Sequence, residues 1–134
     1  FEEYKGLLCG KVKDRAKHVI YECDRVHKAV TAMRNGDIEE LGRLLNASHE
    51  SLKTLYEVTG KELDALADAA QNFDGCLGSR MTGAGFGGCT ISIVRKDKVE
   101  EFKKKVGESY RKAIGYDCAF YDAEISDGIT VKKA

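Results

Sequence analysis

The chain has 134 residues, of which 43% are hydrophobic and 33% charged, and this composition predicts one globular domain and excludes a disordered chain. Basic and acidic residues balance at 22 each, so the chain lacks the positive charge typical of nucleic-acid-binding proteins. No apolar stretch is long enough to span a membrane and none resembles a signal peptide, so we expect no membrane partner.

The first residue is Phe1, not a methionine. We therefore expect residues 1–134 to be a single domain cut from a longer protein, with processing of the N-terminus as the alternative. The first predicted helix covers residues 11–34 and ends at Gly36, since glycine reaches the left-handed conformation of a helix stop. Its apolar positions recur at steps of three and four residues, as on one face of a helix. They are Val12, Ala16, Val19, Cys23, Val26, Val30 and Met33.

Capping patterns predict where three further helices begin. Asp37 and Glu40 stand three residues apart before a second apolar-periodic segment that continues to Leu55. Thr59 and Glu62 repeat the pattern for a third helix, which fades near residue 73. A fourth helix is predicted to begin at Asp97 and to end at Gly115.

Between the third and fourth helices the apolar period changes to two, which predicts strands. Two strands are predicted at Cys76–Thr82 and Cys89–Val94, a third at residues 118–125 and a weaker fourth at residues 129–132. Helices followed by a strand, a loop, a strand, a helix and two strands are typical of an α+β fold. We expect an antiparallel sheet with helices packed on one face.

The loop between the first two strands is the most informative segment. Four of the six residues from 83 to 88 are glycine, and ordered glycine costs backbone entropy. Successive backbone N–H groups in such a loop can form a concave anion site, to which the Thr82 and Ser79 hydroxyls could contribute. The alternative is a tight hairpin with a bulge, which needs only one or two glycines. Phe86 is interpreted as a side chain that fills the core beneath the loop.

The glycine spacing also satisfies G-x-G-x-x-G, but a dinucleotide-binding loop leads from a strand into a helix. Here another strand follows, and no Gly-Lys-Ser/Thr sequence is present. Both dinucleotide binding and a Walker loop are therefore excluded.

Other polar groups give weaker signals. His18 and Glu22 lack a third metal ligand, so a surface hydrogen bond is favoured over a metal site. His49 beside Ser48 suggests a nucleophile and its base, but neighbouring helix residues point apart, so packing is favoured. Tyr56 is interpreted as structural. The five cysteines are odd in number and show no C-x-x-C spacing, which argues against disulfides and zinc and favours a cytoplasmic location.

The string RMTGAGFGGC at residues 80–89 resembles the third signature motif of the GHMP kinases, which include the galactokinase, homoserine kinase and mevalonate kinase families. Residues 15–26, the Ser48-His49 pair, and residues 56–58 and 62–64 are similar to the galactokinase family in particular. Ala84 departs from the pattern, since many galactokinases have glycine there. Alanine also occurs at this place in the wider group, so we do not read it as inactivating.

The resemblance implies a ferredoxin-like α+β domain from the C-terminal portion of a kinase that phosphorylates galactose with ATP and magnesium. The family's sugar-binding and phosphate-binding motifs and its catalytic residues lie in an N-terminal half, and those motifs are absent here. The chain alone is therefore expected to be inactive, with no catalytic residue, metal ligand or tightly bound cofactor of its own. The resemblance places one loop as a wall of the active site that supports the phosphate-binding loop. Its residues are Thr82, Gly83, Ala84, Gly85, Phe86, Gly87 and Gly88.

Three alternatives stay open at this point. The parent protein could be a GHMP kinase of the homoserine or mevalonate type, or a galactokinase-like sensor that binds galactose and ATP without catalysis. The domain could also bind a small anionic molecule by itself. In each kinase reading, the face that meets the missing N-terminal domain should be apolar and exposed, and self-association through that face is possible.

Overall fold

A computed structural model describes residues 1–128, 130 and 131 of the chain. The described helices and strands follow one another as α1 Gly10–Asn35, α2 Ile38–Ser51, α3 Lys61–Gln71, β1 Cys76–Thr82, β2 Cys89–Val94 and α4 Val99–Ile114. Short 3₁₀ turns at Lys5–Leu7 and Lys96–Lys98 precede α1 and α4, and a π-helical turn at Leu52–Tyr56 extends α2. In the described part of the chain, no helix is long and apolar enough to cross a bilayer.

Several helix boundaries follow from the local sequence as predicted. Gly36 ends α1 with φ of 68° and Gly115 ends α4 with φ of 97°, both in the left-handed region that glycine adopts without strain. The Asp37 side chain accepts a hydrogen bond of 3.0 Å from the Glu40 amide and caps α2. These predictions are confirmed.

Two predicted helix starts are wrong. The residue before α3 is Gly60, with φ of 86°, and no side chain caps this helix; the Thr59 side chain is instead buried. Asp97 lies in a 3₁₀ turn, so α4 begins two residues later at Val99. In both places the capping pattern is present, but the backbone before the helix takes a conformation that the pattern alone does not specify.

β1 and β2 form an antiparallel pair with the predicted boundaries. Ser79 lies opposite Ser92 and Thr82 opposite Cys89, so the strands enclose a six-residue loop at residues 83–88. The Ser92 hydroxyl donates a 2.8 Å hydrogen bond to the Ser79 hydroxyl, which shows that both side chains lie on the same face of the sheet.

The predicted third strand at residues 118–125 does not form. Phe120 packs edge-on against Phe102 of α4, with ring centroids 6.2 Å apart, and Asp122 forms a 2.7 Å ion pair with Lys103 of α4. A groove of about 700 Å³ lies between β2, the helices and this segment. The alternating pattern is thus satisfied by packing against α4, and no backbone ladder to β2 is present. The predicted fourth strand includes Ile129 and Lys132, which lie outside the described residues.

The core lies between the helices and one face of the sheet. A first cluster joins Leu52, Leu63 and Met81, with Val58 packed against it. A second cluster joins Ala70 of α3 to Phe102 and Val106 of α4. The α+β class is confirmed, with α3 and α4 on one face of the sheet.

Helix α2 crosses β1 with the two backbones in contact. A side chain on Gly42 would overlap the Leu77 carbonyl, and one on Gly78 would overlap the backbone of Gly42. Only a pair of glycines permits this approach, which brings the polar side chains of α2 to the outer edge of β1.

The apolar stripe of α1 is largely exposed. Val12, Val19, Val26 and Met33 have between 49% and 65% of their surface accessible, while His18 and Ala32 are the buried residues of this helix. The stripe therefore does not face the core formed by the described residues, and it leaves an apolar surface along the helix.

Candidate functional site

The loop at residues 83–88 has a backbone conformation that a simple hairpin does not need. Positive φ values occur at Phe86, where φ is 58°, and at four glycines. The four glycines are Gly83, Gly85, Gly87 and Gly88. Ala84 is not among the residues with positive φ, so its methyl group causes no backbone strain. This geometry explains both the four glycines and the one position where alanine is accepted.

The glycines of the loop serve two different purposes. A Cβ atom on Gly83, Gly87 or Gly88 would meet no atom of another described residue within 4 Å, so the backbone at these positions is open to an approaching partner. A Cβ atom on Gly85 would instead overlap the carbonyl oxygen of Val58. The Phe86 amide donates a 2.7 Å hydrogen bond to that same oxygen. The tip of the loop is therefore fixed to Val58.

Val58 is itself held by a polar cluster that joins it to α1. Glu57, which precedes it, has φ of 58°, a left-handed conformation that is rare for residues other than glycine. Its carboxylate pairs with Lys11 and, at 2.8 Å, with Arg15. Hydrogen bonds from Lys11 and then Arg15 lower the pKa of Glu57. This cluster stabilises the strained turn from which the Val58 carbonyl points at the loop.

Arg15 also contacts the turn before Glu57. Its guanidinium donates to the Leu55 carbonyl and lies 5.5 Å from the centre of the Tyr56 ring. The Tyr56 ring also packs on His18, with centroids 4.6 Å apart. Tyr56 thus has the structural contacts that the sequence suggested.

The interpretation of Phe86 as a core side chain is wrong. Its ring is 79% exposed, because the amide is tied to Val58 and the left-handed backbone turns the side chain outward. The ring borders an open groove of about 930 Å³, together with Val12, Val19 and Tyr56. Phe86 therefore extends the exposed apolar stripe of α1 to the tip of the glycine loop.

The hydroxyl donors suggested for the loop are only partly available. Ser79 is fully buried and bonded to Ser92, so it contributes nothing to the loop, contrary to the prediction. Thr82 is exposed at the end of β1. The loop contains only glycine, alanine and phenylalanine, so it can offer backbone amides and exclude water, but it has no side chain for acid, base or nucleophilic chemistry.

The histidine and serine residues of α2 point in different directions, as predicted. The Ser48 hydroxyl donates to Glu22, and Ser51 lies 2.8 Å from Nδ1 of His18, both on the side of α1. His49 is 1% exposed and faces β1 on the other side. These contacts exclude a nucleophile–base pair between His49 and either Ser48 or Ser51.

The predicted surface hydrogen bond at His18 and Glu22 is wrong, because His18 is buried and bonded to Ser51, while Glu22 is bonded to Ser48 and Arg25. Burial raises the pKa of Glu22, but hydrogen bonds from Ser48 and Arg25 outweigh burial and lower it overall. Arg80 approaches the same carboxylate at 3.5 Å. Across the part of the chain that the structure describes, no group of three or more metal-ligating side chains is found.

Comparison with known proteins identifies the family. The profile described as "GHMP kinases C terminal" matches residues 29–112 of the chain. The chain belongs to the GHMP kinases. The resemblance predicted from the RMTGAGFGGC string and the helical segments is confirmed.

Curated relatives share the name galactokinase. The chain is 61% identical over 129 residues to a galactokinase of Limosilactobacillus reuteri and 56% identical over 129 residues to one of Lactobacillus helveticus. Each match covers 96% of this chain and 33% of the relative. The chain therefore spans about a third of the length of these relatives.

Two solved structures extend the comparison. A Lactococcus lactis galactokinase, crystallised with galactose, is 50% identical with a TM-score of 0.86, over 90% of this chain and 31% of that protein. A mevalonate kinase of L. major has a TM-score of 0.60 at 21% identity, over 82% of this chain and 38% of that protein. The second similarity shows the fold alone.

Sequence patterns identify the glycine loop but do not identify the residues that hold it in place. No motif marks Val58, since its role depends on a backbone carbonyl. The Glu57 and Arg15 pair joins residues 42 positions apart, which no local pattern reveals. The Tyr56-Glu57-Val58 run does resemble the galactokinase family. The hydrogen bond from the Phe86 amide to Val58 gives a physical reason for this resemblance.

Proposed function

We propose that this chain is the C-terminal part of a galactokinase, which transfers the γ-phosphoryl group of ATP to the 1-hydroxyl of galactose. The observation that carries this proposal is the 61% identity over 129 residues to a galactokinase, a span that must include the whole glycine loop. The exposed, side-chain-poor backbone at Gly83, Gly87 and Gly88 supports it, because a phosphate-binding segment could approach these positions closely.

The chain's share of the reaction is a wall of the active site. Residues 82–88 would support the phosphate-binding segment and keep water out, while the remaining two thirds of the parent protein would supply the catalytic residues and the galactose site. ATP would bring magnesium with it, and the described residues offer no cluster of ligands for that ion. We assign both ATP and the metal to the rest of the protein, as the resemblance to the GHMP kinases implies.

The exposed apolar stripe of α1 is proposed as the surface that the missing domain covers. Val12, Val19 and Phe86 border one groove that leads directly to the loop. Covering this surface would place the missing domain beside the glycine loop, where the phosphate-binding segment must lie. In the isolated chain the same surface would favour self-association. The balanced charge and absence of long apolar stretches fit a cytoplasmic enzyme without nucleic-acid partners.

A chimeric enzyme tests the proposed function. The matched 129 residues of the Limosilactobacillus reuteri galactokinase are replaced by the aligned residues of this chain, and ADP formation is measured with ATP and magnesium. Galactose, homoserine and mevalonate are offered separately as acceptors. We expect turnover with galactose, and the other two acceptors serve as negative controls because the rest of the chimera supplies the acceptor site.

Two other outcomes would contradict the proposal. Because the rest of the chimera supplies the catalytic residues and the galactose site, a folded chimera that binds galactose and ATP without turnover would mean that this chain does not complete a galactokinase active site. ADP formation by the unfused chain with any acceptor would contradict the proposed division of labour. The unmodified relative, assayed in parallel, sets the reference rate.

A further inference from the structure

Among the described residues, side chains and not another strand form the hydrogen bonds at the outer edge of β1. The Ser79 amide donates a 2.8 Å hydrogen bond to Oδ1 of Asn46, and the Ser79 carbonyl accepts one of 2.8 Å from Gln71. The next outward-facing amide, that of Met81, donates to Nδ1 of His49 at 3.1 Å. An imidazole ring therefore occupies a position on a strand edge where a backbone carbonyl would normally lie.

This hydrogen bond fixes the protonation state of His49. Since Nδ1 accepts from the Met81 amide, the ring must be neutral with its proton on Nε2. Nε2 faces Oδ1 of Asp64 at 3.5 Å, and neither atom has a hydrogen-bond partner among the described residues. A ring that is 1% exposed thus has a satisfied acceptor and an unsatisfied donor beside a carboxylate.

His49 is connected to the glycine loop at both of its anchored points. Met81 directly precedes Thr82, from which the loop departs, and its side chain packs with Leu52 and Leu63. Val58, whose carbonyl holds the Phe86 amide, packs against the same cluster. We propose that neutral His49 is a positioning residue, which fixes the end of β1 and thereby the conformation of the glycine loop.

Protonation of His49 would reverse this contact. A proton on Nδ1 would confront the Met81 amide, so two donors would face each other and the strand end would have to move. Burial lowers the pKa of His49, which keeps the ring neutral near pH 7. Asp64 and Asp68 of α3 and Glu50 of α2 oppose this effect, while Lys53 of the π-helical turn adds to it.

The protonation state of His49 can be tested by NMR spectroscopy of the chain alone, without an activity assay. Long-range ¹H–¹⁵N correlation spectra of the labelled chain near neutral pH should show His49 with its proton on Nε2. A proton on Nδ1 would overturn the proposal. On lowering the pH from about 7.5 through 6.5 and further while the chain stays folded, the amides of Met81, Gly85 and Phe86 should shift with one common midpoint below 6.5. Loop amides that stay unchanged while Met81 shifts would also overturn it.

Two variants separate the role of His49 from general acid effects. In His49→Asn the side-chain oxygen can still accept from Met81 but does not titrate, so the common shift should disappear while the spectrum stays folded. His27→Asn, at an exposed histidine, should leave the shift unchanged. A common shift that persists in His49→Asn would contradict the proposal, whereas its disappearance in His27→Asn would assign the effect to another residue.

A kinetic test rests on the proposed function and uses the chimera. His49→Leu removes the acceptor and should lower kcat about ten- to a hundredfold with little change in KM for galactose, since loop displacement misplaces the phosphoryl group. His49→Asn should recover most of kcat and flatten its decline at acidic pH. Equal losses in both variants, or a change in KM alone, would contradict positioning. The spectroscopic test of His49 does not depend on the activity of the chimera. A failure of the galactokinase proposal can therefore be distinguished from a failure of the proposed role of His49.

Discussion

Replacing Gly85 by alanine tests the clamp on the glycine loop, and Gly83 provides a matched control. The two glycines have nearly the same φ, 86° and 85°. An L-residue in this region costs about 1–2 kcal/mol at either position. At Gly83 nothing else opposes the new methyl group, because no atom lies within 4 Å of it.

At Gly85 two further costs arise. The new Cβ would lie 3.2 Å from Cβ of Val58 and would overlap its carbonyl oxygen, which is overpacking worth about 1–3 kcal/mol. Moving the loop away would break the bond from the Phe86 amide to Val58, worth about 0.5–1.5 kcal/mol. Gly85→Ala should therefore lower the free energy of unfolding by about 1.5–4.5 kcal/mol more than Gly83→Ala does.

Urea unfolding of the two variants, followed by circular dichroism, measures this difference. A Gly85→Ala chain that is unfolded without urea, while Gly83→Ala retains a cooperative transition, agrees with the prediction. Equal midpoints and slopes for both variants would refute the reasoning, because they would mean that Val58 does not restrain the loop.

Three further predictions concern the rest of the chain. Gly42→Ala should destabilise the chain by about 1–3 kcal/mol in urea unfolding, since its methyl group would overlap the Leu77 carbonyl; a variant as stable as the wild type would contradict the close crossing. Val19→Glu should change the free energy of unfolding of the isolated chain by less than about 0.5 kcal/mol. The same variant should lower the activity of the chimera and reduce self-association of the isolated chain in sedimentation experiments. A large loss of stability would place Val19 in the core. Burial lowers the pKa values of His18 and His49 below 6.5. As the pH drops from about 7.5 to 5.5, the unfolded chain therefore binds protons before the folded chain does, and the urea midpoint should fall. A midpoint that rises over this range would contradict neutral, buried histidines.

The elements with strong local signals were predictable from the sequence. Helix α1 and both strands follow from apolar periodicity, and Gly36 and Asp37 mark a helix end and start by their own conformational and hydrogen-bonding preferences. These features depend on residues within a few positions of one another. Sequence patterns therefore specify them without knowledge of the tertiary structure.

The errors arose where tertiary contacts decide the outcome. The alternation at residues 118–125 is equally compatible with a strand and with packing on α4, and the contacts of Phe120 and Asp122 decide for packing. Phe86 was expected in the core because it is aromatic, but its backbone is held by Val58 in a conformation that turns it outward. Hydrophobicity alone does not reveal either constraint.

The glycine content of the sequence identifies the candidate site, whereas the roles of its individual residues follow only from the structure. Four glycines in six residues identified the loop. The separate roles of Gly85, which contacts Val58, and Gly83, which is open, depend on which atoms lie nearby. The link from His49 to Met81 spans 32 residues, so no periodic pattern could have indicated it.

Galactose-dependent ADP formation by the chimera and by the chain alone, at equal concentrations with ATP and magnesium, tests the central claim most directly. We predict turnover by the chimera and none by the chain, because we propose that the chain contributes a wall of the active site and that the catalytic residues lie in the rest of the protein. Turnover by the chain alone would contradict this division of labour. A folded chimera that binds galactose and ATP but forms no ADP would contradict the assignment of the chain to a galactokinase.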